Sequence, residues 1–211
     1  MVFEDRRQAA ELLAERLKEY RGRNPLVMGI PRGGVVMGRV IADRLGGDLD
    51  VVLVHKLGAP GQPEVAVGAV DEDGNVFISD FARGAVSPKY IEEERQRQLA
   101  ELHRRRARYT PQGERTDPAG RITIVVDDGL ATGATMKAAL LSLRKRKPAE
   151  LVAAVPVAAP EAFAAVGRLA DRVVCLSVPE FFMAVGQFYH DFHQVTDEEV
   201  IETLRRRESG Q

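Results

Sequence analysis

Asp127 and Asp128 are the residues of this chain best placed to do chemistry together. They end the apolar run Ile122-Thr123-Ile124-Val125-Val126, and a stretch of small residues from Gly129 to Thr135 follows directly. A helix pattern begins at Ala134. Amides at a helix N-terminus point toward a bound anion, and the helix dipole assists them. Ala131, Gly133 and Ala134 let the backbone approach such an anion closely, while the hydroxyls of Thr132 and Thr135 add donors. The loop is therefore built to hold a phosphate. It is not a Walker loop, because no Gly-Lys-Thr ends it. Two carboxylates beside a phosphate would repel it, so they need another purpose. Accepting hydrogen bonds from ribose hydroxyls is the natural one, and it makes the ligand a ribose phosphate. Such a pair, facing solvent, is expected to cost the ligand-free protein some repulsion.

The elements that must position these groups alternate in type. Ala9, Ala10, Leu13, Leu17 and Tyr20 recur at helical spacing over residues 4–20, and Arg21-Gly22 ends that helix. Residues 26–30 form a short buried strand. Pro31-Arg32-Gly33-Gly34 is a tight loop, and residues 35–45 are a helix stopped by Gly46-Gly47. Residues 51–54 are read as the second strand. Residues 65–70 and 76–79 flank Asp71-Glu72-Asp73-Gly74-Asn75, a hairpin signal. Residues 91–109 are a long charged helix, and 111–120 a polar loop. Strands at 122–126, 151–157 and 173–178 then alternate with helices at 134–144 and 161–170. Thr196-Asp197-Glu198-Glu199 is a capping box that opens a last helix. Strands alternating with helices imply an α/β fold, a parallel sheet of about five strands flanked by helices. The hairpin and the long helix (about 58–120) are an insertion into it. No linker divides the chain, so residues 1–211 are read as one domain.

Bulk properties agree. The 211 residues carry 45% hydrophobic and 29% charged side chains, enough to bury a core without disulfides. The formal net charge of −1 creates no field that draws nucleic acid or anionic membrane. Basic residues are skewed to arginine, 24 against 6 lysines. The one cysteine, Cys175, lies in an apolar run and reads as a buried, inert thiol. The start of the chain has acidic residues and no long apolar run, and no window approaches the ~18 apolar residues of a membrane span. The expected location is the cytoplasm.

Residues 121–136 resemble the phosphoribosyl-pyrophosphate motif of type I phosphoribosyltransferases: an apolar run, two acids, two variable residues, then small-Thr-Gly-small-Thr. The chain as a whole is also similar to a group of phosphoribosyltransferases predicted from sequence that carry a C-terminal hood. The resemblance implies the type I phosphoribosyltransferase fold, with a small hood at about 179–211. It implies that Asp127 and Asp128 hold ribose hydroxyls, and that Ala131, Thr132, Gly133, Ala134 and Thr135 hold the 5′-phosphate. It identifies residues 29–34 with the pyrophosphate loop, where an often cis peptide turns amides toward the leaving group. Gly33 and Gly34 belong to that loop, and Arg32 would contact pyrophosphate. Lys56 matches a basic residue near the same group. Residues 58–63 match in position a mobile lid, which would shield an oxocarbenium-like transition state from water. At the position of Ala131, hypoxanthine-type members carry an aspartate that serves as base toward the purine. Alanine stands there in adenine-type members, so any base must come from elsewhere.

The implied activity is that of an Mg²⁺-dependent pentosyltransferase. It would move phosphoribosyl from 5-phosphoribosyl-1-pyrophosphate to a nucleobase-like acceptor, as a homodimer. Mg²⁺ would be held mainly by substrate oxygens and water, so no protein ligand is assigned. In the hood, Phe181, Phe182, Phe188 and Tyr189 either stack a planar base or fill a core beneath it. His190 and His193 have metal-pair spacing but no third ligand nearby, which favours surface or structural histidines. The alternative function is a regulator that senses the donor while binding RNA or a protein partner. It would need a continuous basic face, for which Arg104, Arg105, Arg106 and Arg108 are the candidates. Interleaved glutamates favour a solvated face or a subunit contact for that helix. A hydrolase is disfavoured by the lack of Gly-x-Ser-x-Gly.

Overall fold

The computed structural model describes residues 1–79, 82–110 and 115–205. The first part of the polar loop at 111–120 and the last residues of the hood, 206–211, lie outside them. The elements are α1 (Arg6–Arg16), β1 (Leu26–Gly29), α2 (Gly33–Leu45), β2 (Asp48–Val51), β3 (Val54–Ala59), β4 (Gln62–Asp71), β5 (Val76–Ile78), α3 (Pro88–Tyr109), β6 (Ile122–Val126), α4 (Ala134–Lys145), β7 (Glu150–Val157), α5 (Pro160–Gly167), β8 (Arg172–Ser177) and α6 (Asp197–Arg205).

Five of the strands form one parallel sheet in the order β2-β1-β6-β7-β8. Alternate residues of each strand face opposite layers. Val27, Ile124, Val126, Val152 and Ala154 pack under α1 and α2, and Leu26, Met28, Val125, Leu151, Ala153 and Val155 under α4 and α5. Burial on both faces explains why β1, β6 and β7 read as unbroken apolar runs. Strand order reverses between β1 and β6. The connections that follow their carboxyl ends therefore turn to opposite faces of the sheet and leave a crevice, where open α/β sheets take ligands.

The second strand differs from the sequence expectation. It is Asp48–Val51, paired Leu26↔Asp48 through Gly29↔Val51, rather than 51–54. It is an edge strand and alternates polar with apolar residues. The apolar run chosen from the sequence instead straddles the end of β2 and the start of β3. The insertion is correspondingly larger. β3 joins the expected hairpin to make a three-stranded antiparallel sheet, β3-β4-β5. The proposed lid is the tip of the β3–β4 hairpin, turned at Gly61 (φ 70°), and Tyr90 of α3 donates from its hydroxyl to the Gly58 carbonyl (3.0 Å). In the second hairpin Asp71 Oδ1 accepts from the amides of Asp73 and Asn75, which closes the predicted turn.

The insertion shares a core with the main sheet. Val51 and Leu53 pack with Leu57, Val67, Val70, Leu102 and Tyr109, and with Val195 before α6 and Val200 within it. The capping box at α6 forms as read: Thr196 Oγ1 accepts from Glu199 N, and Glu199 Oε2 accepts from Thr196 N. The arginines of α3 are not one solvated stripe. Arg106 is largely buried and donates to Glu72, Asp50 and the Val51 carbonyl. Burial opposes its charge, but those bonds and charges outweigh burial and push its pKa up. Arg104 and Arg105 pair with Glu101, and Arg108 with Asp197 and Glu198. All four candidates for a continuous basic face therefore have acidic partners. Among the described residues no helix is long and apolar enough to cross a membrane.

Candidate functional site

The crevice between β1 and β6 gathers the two motifs singled out in the sequence. Gly29 and Val126 are register partners, and Ile30 N donates to the Val126 carbonyl (2.9 Å). The 29–34 loop and the acid pair therefore leave the sheet side by side. The peptide between Pro31 and Arg32 is cis. Gly33 and Gly34 are buried, and the contact they permit is very close. A Cβ on Gly34 would lie 2.3 Å from the Val126 carbonyl oxygen, and one on Gly33 would lie 2.2 Å from Asp128 Oδ2. Glycine there is what lets the start of α2 sit against the end of β6.

The two carboxylates have different surroundings. Asp127 keeps part of its surface open and accepts from the Asp128 amide through Oδ1 (2.9 Å). Packing around its carboxyl, and then the charge of Asp128, push its pKa well above the usual carboxylate range. Asp128 is paired. Arg6 of α1 donates from Nε to Asp128 Oδ2 at 2.9 Å, and its Nη2 stands at the same distance. Side-chain exposures of 9% for Arg6 and 18% for Asp128 make this a largely desolvated ion pair. The expectation of an unpaired, solvent-facing acid pair is corrected accordingly. Tyr189 donates its hydroxyl to the Asp128 carbonyl (2.7 Å). Burial, followed by the negative charge of Asp128, holds that phenol far above its ordinary pKa, so it remains a donor.

Across the acids the small-residue loop runs into α4 where the sequence places the helix start. Gly133, at φ 68°, caps α4, and the Ala134 amide donates to Thr132 Oγ1 (3.3 Å). Ala131, Thr132 and Thr135 are exposed. On the other side a cavity of about 300 Å³ opens between Arg32, Gly33, Arg6 and Asp128 and the hood residues Phe192 and His193. It does not reach the small-residue loop. Arg32 Nη1 lies 4.0 Å from Asp197 Oδ1 at the start of α6. Asp197 also accepts from Arg108 and from the Tyr109 hydroxyl, so it joins α3 to this wall. Lys56 lies exposed within β3, not at the end of a strand of the main sheet. The neighbouring His55 ring meets the Lys56 carbonyl (2.9 Å).

The hood resolves the choice left open for its aromatics. Phe188 and Tyr189 are buried and pack with Phe3, so they belong to the core. Phe182 packs on Phe188 (5.3 Å between ring centroids), and Phe181 is 86% exposed. The hood is fastened by the chain start: Phe3 N donates to the Phe188 carbonyl, and His190 N to the Phe3 carbonyl (both 2.8 Å). His193 turns its ring to Asp191 and Glu199. Among the described residues no group of three His, Cys, Asp or Glu side chains could hold a metal ion. Arg6, Phe192 and Asp197 were not read as site residues from the sequence. No local signal separates Arg6 from its exposed neighbour Arg7. Only the return of the hood over α1 does so.

The profile of the phosphoribosyl transferase domain matches residues 4–193, from the residue before the α1 cap to the cavity wall at His193. The chain belongs to the phosphoribosyl transferase domain family. Rv0571c of Mycobacterium tuberculosis, which bears the provisional name of a phosphoribosyl transferase, is 42% identical over 207 residues. That match takes in 97% of this chain and 47% of the relative, so the chain spans about half the length of the curated relatives it matches. TT1426 of Thermus thermophilus, known as a crystal structure, is 48% identical. The two superpose with a TM-score of 0.87 over 97% of this chain and 98% of that one. Both the acid pair with its loop and the Arg6–Asp128 contact fall inside the span matched to the family.

Proposed function

We propose that the protein transfers the phosphoribosyl group of 5-phosphoribosyl-1-pyrophosphate to a nitrogenous base and releases pyrophosphate. One observation carries this reading. The acid pair lies at the strand-order reversal between an open helix N-terminus and the Arg32-Gly33-Gly34 loop. A ribose seated on Asp127 and Asp128 would have its 5′-phosphate at Ala131, Thr132, Gly133, Ala134 and Thr135. Its pyrophosphate would lie toward Arg32, with Gly33 and Gly34 allowing the approach and Lys56 reaching from β3. Bond cleavage at C1 then needs positive charge on the leaving group. Mg²⁺ would supply part of that charge, held mainly by substrate oxygens and water. Arg32 supplies a fixed part of it from the wall of the cavity. The acceptor nitrogen attacks C1 as the C1–O bond to pyrophosphate breaks.

The acceptor is read as a planar heterocycle. Ala131 is exposed and carries no carboxylate, so adenine-like or pyrimidine-like bases stand ahead of 6-oxopurines. Phe181, 86% exposed, has the most open face of the described hood phenylalanines. The working form is proposed to be a cytoplasmic homodimer. The test is a screen of nucleobases and small amines with the donor and Mg²⁺, reading pyrophosphate release. Turnover of one class of base, lost in Asp127→Asn/Asp128→Asn, is expected. Robust use of hypoxanthine or guanine would overturn the argument from Ala131, and silence with every base would overturn the transferase reading. Donor affinity is expected to fall sharply in chelator, and indifference to Mg²⁺ would point instead to a phosphate-binding module.

A further inference from the structure

Arg6 is the residue of the crevice to which none of the chemistry above gives a role. Its guanidinium takes Asp128 Oδ2 with two nitrogens, donates from Nη1 to the His193 carbonyl (2.8 Å), and lies 3.9 Å from the centroid of the Phe192 ring. Three elements thus fix one side chain: α1, the end of β6 and the hood. Both Arg6 bonds go to one oxygen of Asp128, and no described residue donates to the other, Oδ1. Tyr189 holds the Asp128 backbone from below. We propose that Arg6 is a positioning residue for sugar recognition, fixing Asp128 so that Oδ1 faces a ribose hydroxyl. This rests on the ribose-phosphate reading of the acid pair.

The charges around Asp128 give the arrangement a second consequence. Asp127 stands next to it on the same strand end, Arg6 faces it from α1, and Arg32 and the His193 backbone face it across the cavity. The Tyr189 phenol stays neutral on its carbonyl. Arg6 is in contact with Asp128, and its charge also draws the pKa of Asp127 down, against the burial and the neighbouring acid that raise it. Without Arg6, Asp127 would keep its proton to a higher pH. A residue that merely fastened the hood would change stability and leave sugar selectivity and its pH dependence untouched.

The experiment is calorimetry on the full chain with ribose 5-phosphate and its 2-deoxy and 3-deoxy analogues, for wild type, Arg6→Lys and Arg6→Met. Wild type is expected to prefer the full sugar over at least one deoxy analogue. Arg6→Met should lose that preference by roughly tenfold, the scale of one charge-assisted hydrogen bond. Arg6→Lys, which keeps the charge but not the two-nitrogen contact, should lie between. The acid limb of the selectivity should move to higher pH in Arg6→Met. Selectivity and acid limb unchanged in Arg6→Met would overturn the proposal. Should Arg6→Met not fold, wild-type selectivity in Arg6→Lys would overturn it. Wild type that binds the sugars without discrimination would overturn the ribose reading itself, a separate result.

Discussion

Arg6 Nε donates to Asp128 Oδ2 across 122 positions of sequence, at 2.9 Å. The two acids of the motif are therefore not interchangeable. Asp128→Asn leaves a largely buried guanidinium without its counter-charge and should destabilise the protein by about 1.5–3 kcal/mol. Asp127→Asn keeps an acceptor for the Asp128 amide and removes a carboxyl that resists ionisation, so it should be neutral or stabilising at pH 7. Urea midpoints at unchanged slope give the comparison. Equal stabilisation by both substitutions would mean that repulsion, not pairing, governs the site.

The raised pKa of Asp127 also predicts a pH signature. Below about pH 4 the carboxyl is protonated in folded and unfolded chains alike, and it contributes no difference. As pH rises, the unfolded chain ionises first while the folded one holds its proton, so folding becomes less favourable until the folded pKa is passed. The stability gap in favour of Asp127→Asn should therefore widen upward from about pH 4. A gap constant with pH would contradict the assignment.

Gly34→Ala tests the contact between α2 and β6. Alanine in a helix ordinarily gains about 1 kcal/mol over glycine. Here the added carbon would meet the Val126 carbonyl oxygen at 2.3 Å and Asp127 Cα at 3.1 Å, and neither can rotate away. A net loss of about 1–3 kcal/mol is expected, read as a lower Tm. A gain would show that α2 can slide without cost.

Arg106→Leu probes how the insertion is held. Asp50 and Glu72 are 5% and 7% exposed, and both accept from Arg106. Losing their cation should cost about 3–5 kcal/mol in chemical denaturation. Adding Asp50→Asn and Glu72→Gln should recover part of that loss. No recovery would place the cost in packing of the arginine stem.

Local chemistry was legible in the sequence wherever one contiguous stretch fixed it. The 122–126 strand, the small-residue loop and the α4 start were read as they stand, because an apolar run, a glycine cap and a helix period all act within a few residues. The capping box of α6 and the turn at Asp71 were read for the same reason. The edge strand β2 was misplaced. Its polar-apolar alternation, Asp48-Leu49-Asp50-Val51, is a weaker signal than the longer apolar run beside it.

The sequence alone determined the parallel α/β sheet and the strand–loop–helix turn at the end of β6, since periodicity and turn chemistry need no distant partner. Tertiary structure decided which side chains stand beside the acid pair. Arg6 and Arg7 are equivalent in sequence, yet one is buried against Asp128 and Phe192 while the other is solvated. Phe188 and Tyr189 became core, and Phe181 stayed exposed, according to where the hood crosses the chain start. These outcomes depend on contacts between segments more than a hundred residues apart. Burial and ion pairing there follow from the packing of whole elements, which no local pattern encodes.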